Sequence, residues 1–129
     1  MVTDPRQALG RLGEAAARTH LERRGVRILA ENFTCPAGEI DLVGRTRDSL
    51  IFVEVKTRKS RAFGPPQLAV HHRKQRQIVR TAEWYLAAQR MPDVACRFDI
   101  VAVTYFEDEE TPRIDWVQDA FPAEGVRVW

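Results

Sequence analysis

The chain has 129 residues, a formal net charge of +2, and 44% hydrophobic and 29% charged residues, which is an ordinary composition for a soluble globular protein. The length predicts a single domain over residues 1–129, with a core large enough to fold without disulfides. No apolar run approaches the roughly 20 residues that span a bilayer, and no signal pattern opens the chain, so we expect no membrane partner and a cytoplasmic location.

The first predicted element is a helix. Thr3 or Asp4 can cap it, with Pro5 in the first turn, and it would run to about residue 24, where Gly25 can adopt a left-handed stop. Two glycines inside this segment, at positions 10 and 13, are poor helix formers. They indicate either a later start, near residue 12, or close packing of the helix against a sheet.

Three strands are predicted next, at residues 26–33, 38–43 and 51–56, because each is an apolar run of strand length bounded by turn residues. The segments 35–38 and 44–49 are the turns between them. Short turns between consecutive strands predict an antiparallel meander.

The second half of the chain predicts a basic loop, a helix and two strands. The loop covers about 57–66, and the helix begins near residue 67 or 71 and ends near Gln89. Residues 98–103 and 114–117 read as strands around an acidic turn at 107–112. The resulting fold class is α/β with the order α-β-β-β-α-β-β, in which a crossover helix produces a mixed sheet flanked by a helix on each face.

Two acids and a lysine lie on the second and third predicted strands. Alternation along a strand places Asp41 on one face, with Ile40 and Leu42 on the other, and it places Glu54 and Lys56 together. If the strands pair antiparallel, the two carboxylates meet beside an ammonium group. Such a group suits a divalent cation and a reacting phosphate.

An ordinary salt bridge is the alternative for this group. A cross-strand pair on a solvated face contributes at most about 1 kcal/mol, and an isolated E-x-K sequence is usually of that kind. However, the chain has only three lysines against seventeen arginines, and one of the lysines follows Glu54 by two residues. A compact ammonium is not interchangeable with a planar guanidinium, so the choice of Lys56 favours a site.

Positive charge is concentrated in one part of the chain. Residues 1–100 hold eighteen Lys/Arg and eleven Asp/Glu (+7), whereas residues 101–129 hold two and seven (−5). The segment 56–82 contains eight basic residues and no acid. Binding of a polyanion is the functional interpretation, and a solvated helix face plus a loop is the structural alternative.

The cysteines and histidines predict no metal site. Cys35 and Cys96 stand far apart and outside any C-x-x-C motif, as reduced thiols do, although the sequence leaves a disulfide open. His71 and His72 are adjacent and His20 is isolated, so no zinc-type cluster is formed by the sequence.

Several segments together resemble a known family. The order of elements, with an acid in the first helix, Asp on the second strand and E-x-K on the third, resembles the restriction-endonuclease-like PD-(D/E)XK superfamily. More narrowly, the chain resembles the YraN family of small bacterial proteins, which are named as proposed endonucleases, and archaeal Holliday-junction resolvases share the same order of acids. The matching segments are 13–16 (GEAA), 32–33 (NF), 38–43 (GEIDLV), 52–58 (FVEVKTR) and, more weakly, 97–101 (RFDIV).

The resemblance implies roles for four residues. Asp41 and Glu54 would be metal ligands, the main-chain carbonyl of residue 55 a third, and Lys56 the lysine of the pattern; isoleucine, not proline, precedes Asp41. Glu14 would be the helix acid that reaches the site, with an i,i+4 pair to Arg18 as its alternative. Glu39, on the face of Asp41, would be a supporting acid or a solvated one.

The implied activity is metal-dependent endonucleolytic hydrolysis of DNA. Hard carboxylate ligands favour Mg²⁺ or Mn²⁺, and the basic segment would hold the nucleic-acid backbone without specifying sequence. No base-reading element is evident, so a structure-selective or non-specific enzyme is expected, with a homodimer if the substrate is a symmetric junction. The backbone-binding residues would be Arg58, Lys59, Arg61, Arg73, Lys74 and Arg76.

Two other classes of function remain open from the sequence. The first is a nucleic-acid-binding protein that keeps the fold without turnover. The second is a scaffold protein that contacts a partner through the acidic 107–110 turn or through exposed Trp116, Phe121 and Trp129, although such aromatics are more often packed than exposed.

Overall fold

The computed structural model describes residues 4–59, 70–91 and 93–122. One five-stranded sheet has the order β1-β2-β3-β4-β5, in which β3 and β4 are parallel and all other neighbours are antiparallel. The predicted α/β class and element order are therefore confirmed. The elements are α1 (Pro5–Arg23), β1 (Arg27–Cys35), β2 (Gly38–Arg45), β3 (Leu50–Arg58), α2 (His72–Gln89), β4 (Cys96–Thr104) and β5 (Arg113–Val117).

The two helices cover opposite faces of the sheet. On one face, Ala17 and Leu21 of α1 pack in a buried cluster with Val53 and Val55 of β3. On the other face, α2 packs in a second cluster that includes Phe52. Residues 51–55 are thus apolar on both faces except at Glu54, because a central strand between two helical layers is buried on both sides.

The start of α1 settles the question raised by its glycines. The Asp4 carboxylate accepts a hydrogen bond from the Arg6 amide at 2.9 Å and caps the helix, so the helix begins at Pro5 and a later start is wrong. Gly13 lies directly on Thr57 of β3, where a Cβ would overlap the threonine side chain. The glycine therefore permits the close packing of α1 on β3.

The alternation expected on β2 is wrong at Asp41. Ile40 packs in the α2 cluster, whereas Leu42 packs in the α1 cluster, so these residues do not share a face. The paired strand β1 is irregular at the same position. There, Asn32 adopts a left-handed φ of +50° between the residues that pair with Leu42 and Ile40. The regular alternation of side chains along β2 is therefore broken at Asp41, between Ile40 and Leu42.

Two of the C-terminal aromatic residues, Trp116 and Phe121, pack against the rest of the fold. Phe121 is 6% exposed and its ring stacks on Phe98 at 5.2 Å between centroids. The Trp116 indole donates a hydrogen bond to the buried carboxylate of Asp99 at 2.9 Å. The exposure suggested for these residues is therefore wrong for Phe121, which is buried, whereas Trp116 is partly buried against the α1 cluster; Trp129 lies outside the described residues.

Two further observations concern the chemistry of the chain. Cys35 and Cys96 are free thiols, as expected, and burial raises the pKa of Cys96 to about 11. Within residues 4–59, 70–91 and 93–122, no helix has the length and apolar character needed to cross a membrane.

Candidate functional site

The site is built where β2 separates from β3. Pairing of the two strands runs from the turn to Leu42 and Val53 and stops there, so Asp41, the residue that precedes Leu42, lies just beyond the paired segment. Beyond that point the Asp41 carboxylate takes the place of a main-chain carbonyl and accepts a hydrogen bond from the Val55 amide at 2.7 Å. At the point where the strands separate, this hydrogen bond holds the Asp41 side chain by one oxygen, Oδ2.

Glu54 lies beside two lysines from different elements. Its Oε1 atom is 3.7 Å from Nζ of Lys56 on β3 and 4.0 Å from Nζ of Lys74 on α2. The Glu54 side chain is 9% exposed, whereas about a third of each lysine side chain is exposed. The predicted pairing of Glu54 with Lys56 is present, and Lys74 is an additional charge at the same oxygen.

Burial of the acids makes their ionisation costly. Burial, and then the charge of Asp41, raise the pKa of Glu54 to about 7, although Lys74 and Lys56 act in the opposite direction. Burial also raises the pKa of Asp41, against the hydrogen bond from Val55. The charge of one carboxylate therefore affects the ionisation of the other, as expected if they lie in one site.

Glu14 reaches the site from α1 and does not pair with Arg18. The Arg18 guanidinium instead contacts Glu31 at 2.6 Å and Glu22 at 3.5 Å. Partial burial and the nearby charge of Asp41 raise the pKa of Glu14. The arrangement favours the site interpretation of Glu14 over the i,i+4 pair.

An open cleft of about 370 Å³ lies between α1 and the separated strands. Three of the four predicted catalytic residues line it, whereas Glu54 lies beside it on the side of α2. Gly10 presents bare helix backbone to the cleft, with nothing within 4 Å of the position of a Cβ. The lining residues are Arg6, Leu9, Gly10, Glu14, Asp41, Val55, Lys56 and Thr57.

The residues predicted to bind a nucleic-acid backbone fall into three groups within the described residues, and one of them lies outside those residues. Arg73 and Arg76 are exposed on the first turns of α2, and Lys59 is exposed after β3. Arg58 is part-buried, and its Nε atom donates to the Thr104 hydroxyl at 3.3 Å. Lys74 contacts Glu54, as described above. Arg61 lies outside the described residues.

The carboxylate oxygens of Asp41 and Glu54 are ligands of the type that Mg²⁺ and Mn²⁺ prefer. No group of three or more His, Cys, Asp or Glu side chains in the described part of the chain is arranged to hold a metal ion. Mg²⁺ commonly binds through one or two carboxylates and completes its coordination with waters and substrate phosphates. Asp41 and Glu54 fit that mode, because it needs only two carboxylates from the protein.

Lys74 is the residue of this site whose position sequence reasoning missed. It was predicted to bind the nucleic-acid backbone as one of several cations on α2, eighteen residues after Lys56. The only signal in the sequence is its type, since it is one of three lysines in a chain that otherwise uses arginine. Its contact with Glu54 depends on how α2 crosses the sheet, which periodicity along the helix does not specify.

Comparison with known proteins identifies relatives along nearly the whole chain. The chain is 47% identical to a UPF0102 protein of Geobacter metallireducens over 115 residues, which are 89% of this chain and 93% of that protein. It is 45% identical to a UPF0102 protein of Syntrophotalea carbinolica, with coverage of 96% and 99%. It is 40% identical to one of Moorella thermoacetica, with coverage of 93% and 100%.

A solved structure titled "Crystal structure of SSO0001" aligns with a TM-score of 0.39 and 14% identity. The alignment covers 95% of this chain and 56% of that chain. This likeness is too low to support an argument about function.

The family profile described as "Uncharacterised protein family UPF0102" matches residues 13–103, a range that includes every predicted catalytic residue. Together with relatives of about 45% identity, this match confirms the YraN-like resemblance at the level of the family. The chain belongs to the UPF0102 family.

Proposed function

We propose that this protein is a metal-dependent endonuclease that hydrolyses phosphodiester bonds in DNA, with structure-selective or no sequence preference. The observation that carries the proposal is a pair of interacting carboxylates, the part-buried Asp41 and the buried Glu54, beside Lys56, where Asp41 and Lys56 line an open cleft. Buried acids with raised pKa values in a cleft are characteristic of functional sites. The resemblance to nucleases with the same order of acids supports the same chemistry.

Each residue has a defined task in this proposal. Asp41 and Glu54 would hold Mg²⁺ or Mn²⁺ through their carboxylate oxygens, with the main-chain carbonyl of Val55 as a further ligand. Such an ion would supply Lewis acidity at the scissile phosphate and acidify the attacking water. Lys56, which lines the cleft, would orient the water or stabilise the charge that develops on the phosphorus oxygens. Glu14 would accept a hydrogen bond from water at the other wall of the cleft.

The DNA would enter along the exposed cations of α2. Arg73 and Arg76 are exposed there, on the first turns of the helix that also carries Lys74, the residue that contacts Glu54. Cations on a protein surface bind phosphates without reading bases, which agrees with a substrate defined by its structure. A homodimer belongs to the proposal only for a symmetric four-way junction, and the free thiols suit a reducing cytoplasm.

The test is a cleavage assay with labelled linear, flapped and four-way DNA, with and without Mn²⁺. We expect cleavage only with Mn²⁺, and a loss of at least about 100-fold in the Asp41→Ala and Lys56→Ala variants. Asp48→Ala, in the turn of the same hairpin, is the matched control and should cleave normally. Equal cleavage by Asp41→Ala would contradict the proposal, because the cation would then not be bound where we place it.

A nucleic-acid-binding protein without turnover is the second candidate. It is favoured by the absence, in the part of the chain that the structure describes, of a three-acid group able to hold a metal. It predicts DNA binding that weakens steeply with salt and no cleavage of any substrate with Mn²⁺. The same assay therefore separates the two candidates.

A further inference from the structure

Lys74 occupies a position that a simple DNA-binding role does not explain. It belongs to α2, on the opposite side of the sheet from α1, yet its Nζ atom is 4.0 Å from Glu54 Oε1. Lys56 approaches the same oxygen at 3.7 Å. Two ammonium groups therefore face one carboxylate that the proposed function assigns to a divalent cation.

We propose that Lys74 is an exchangeable counterion: it neutralises Glu54 when no divalent cation is bound, and it contacts a DNA phosphate when a cation takes its place. Cation binding and DNA binding are then coupled through this one side chain. The inference rests on the proposed function, because it assumes that the site takes both a cation and DNA.

The geometry allows such an exchange. At 4.0 Å the ammonium is beyond hydrogen-bond distance from Oε1, so the contact is a charge interaction that is easily broken. The lysine side chain is 36% exposed and has a flexible four-carbon stem, so its end can turn to solvent. Arg73, the exposed cation that directly precedes it on α2, would bring a phosphate backbone within its reach.

The charges give the direction of the coupling. Asp41 and Glu54, once ionised, are balanced by Lys56 and Lys74, so a cation that arrives without DNA must displace an ammonium from Glu54. Once DNA is present, a phosphate offers that ammonium a new partner. Lys74 thus weakens cation binding in the absence of DNA and strengthens DNA binding in the presence of the cation. By linkage, the factor by which the cation strengthens DNA binding equals the factor by which DNA strengthens cation binding.

The experiment measures DNA affinity by fluorescence anisotropy with no divalent cation and with saturating Ca²⁺, which takes the same type of oxygen ligands as Mg²⁺. A labelled four-way DNA is the probe, and a gel checks that it stays intact. We expect Ca²⁺ to tighten DNA binding by the wild-type protein at least about fivefold more than by Lys74→Gln. Arg76→Gln is the control, since it should weaken binding equally with and without Ca²⁺.

A second measurement titrates Ca²⁺ alone by calorimetry. Lys74→Gln should bind Ca²⁺ more tightly than the wild-type protein, because no ammonium competes for Glu54. Weaker binding by the variant would contradict the exchange and would show that Lys74 positions Glu54 for the cation.

The outcomes separate the inference from the proposed function. If Ca²⁺ tightens DNA binding equally in the wild-type protein and in Lys74→Gln, the exchange is overturned. If the wild-type protein also cleaves DNA with Mn²⁺, the nuclease proposal still stands. A wild-type protein that binds no DNA under either condition overturns both. Unchanged thermal unfolding of Lys74→Gln shows that these results do not arise from misfolding.

Discussion

Asp99 and Glu54 lie on neighbouring strands and are both buried, but they are stabilised in opposite ways. Asp99 is paired in the sheet with Val53, the residue before Glu54. Each Asp99 oxygen accepts two hydrogen bonds at 2.9 Å. The donors are the Arg97 guanidinium to both oxygens, the Trp116 indole to Oδ2 and the Asp119 amide to Oδ1.

Glu54 has no comparable set of donors. Among the described residues its ionic partners are two lysines at 3.7 and 4.0 Å, and burial raises its pKa to about 7. No fully buried side-chain nitrogen or oxygen in the described segments lacks a hydrogen-bond partner, so the Glu54 oxygens still reach solvent. A fully satisfied acid stabilises the fold, whereas a poorly satisfied acid beside a cleft is available to a ligand. The difference separates a structural carboxylate from a candidate catalytic one.

The largest expected effect is the loss of stability in Asp99→Asn. The N–H₂ group of the asparagine would face N–H groups that now donate to Asp99. The part-buried Arg97 guanidinium would also lose its anion. Breaking a buried ion pair of this kind costs about 3–5 kcal/mol. Urea unfolding should show a decrease of that size in the free energy of unfolding. A change below about 1 kcal/mol would break the comparison, since Asp99 would then be no better satisfied than Glu54.

Glu54→Gln should increase the free energy of unfolding at high pH, whereas Asp99→Asn should decrease it. The pKa of Glu54 in the folded protein, about 7, lies above the ordinary value of 4.5, so the folded state binds a proton that the unfolded chain releases between these values. Stability of the wild-type protein should therefore fall as pH rises from 4.5 to 7, relative to the variant. The difference between the two should change by on the order of 3 kcal/mol.

The measurement is urea unfolding of both proteins at pH 4.5, 6 and 8 without divalent cations. Parallel curves of stability against pH would contradict the raised pKa. Adding Mn²⁺ at pH 8 should stabilise the wild-type protein and not Glu54→Gln, since a ligand of the folded state raises stability by mass action.

A smaller effect tests how α1 is held against the site. In Gly13→Ala the new Cβ would overlap Thr57, so α1 must shift away from β3, at a cost of about 1–3 kcal/mol. Because α1 carries Glu14, the shift should also weaken any cleavage activity.

Gly10→Ala is the matched control on the same helix. Nothing lies within 4 Å of its Cβ position, so the variant should gain up to about 1 kcal/mol from better helix propensity. Thermal unfolding of the two variants gives the comparison. Equal destabilisation by both would mean that helix propensity, rather than contact with Thr57, governs position 13.

The sequence alone determined the order of elements, the class of fold and the candidate acids. Strands and helices follow from local patterns such as the run at 51–56 and the cap at Asp4, so they are readable without tertiary contacts. The E-x-K motif could be recognised because residue type and spacing are properties of the chain. The family followed from the same segments, and residues 13–103 match its profile.

Only the tertiary structure decided how the acids are held. Regular alternation could not predict that Ile40 and Leu42 pack on opposite faces, because the distortion at Asp41 is shared with Asn32 on another strand. The bond from the Val55 amide to Asp41 exists because strand pairing stops there. Contacts between elements distant in sequence depend on the relative placement of whole layers, which a local pattern does not encode.

The same reason separates the charged partners. Glu14 and Arg18 have the spacing of a helical pair, but Arg18 instead contacts Glu31 on β1. Lys74 looked like one cation among several on α2, and the packing of α2 on the sheet brings it to Glu54. Residue types and their order thus identify the acids of the candidate site, whereas the packing of two helices on a distorted sheet determines which charges surround them.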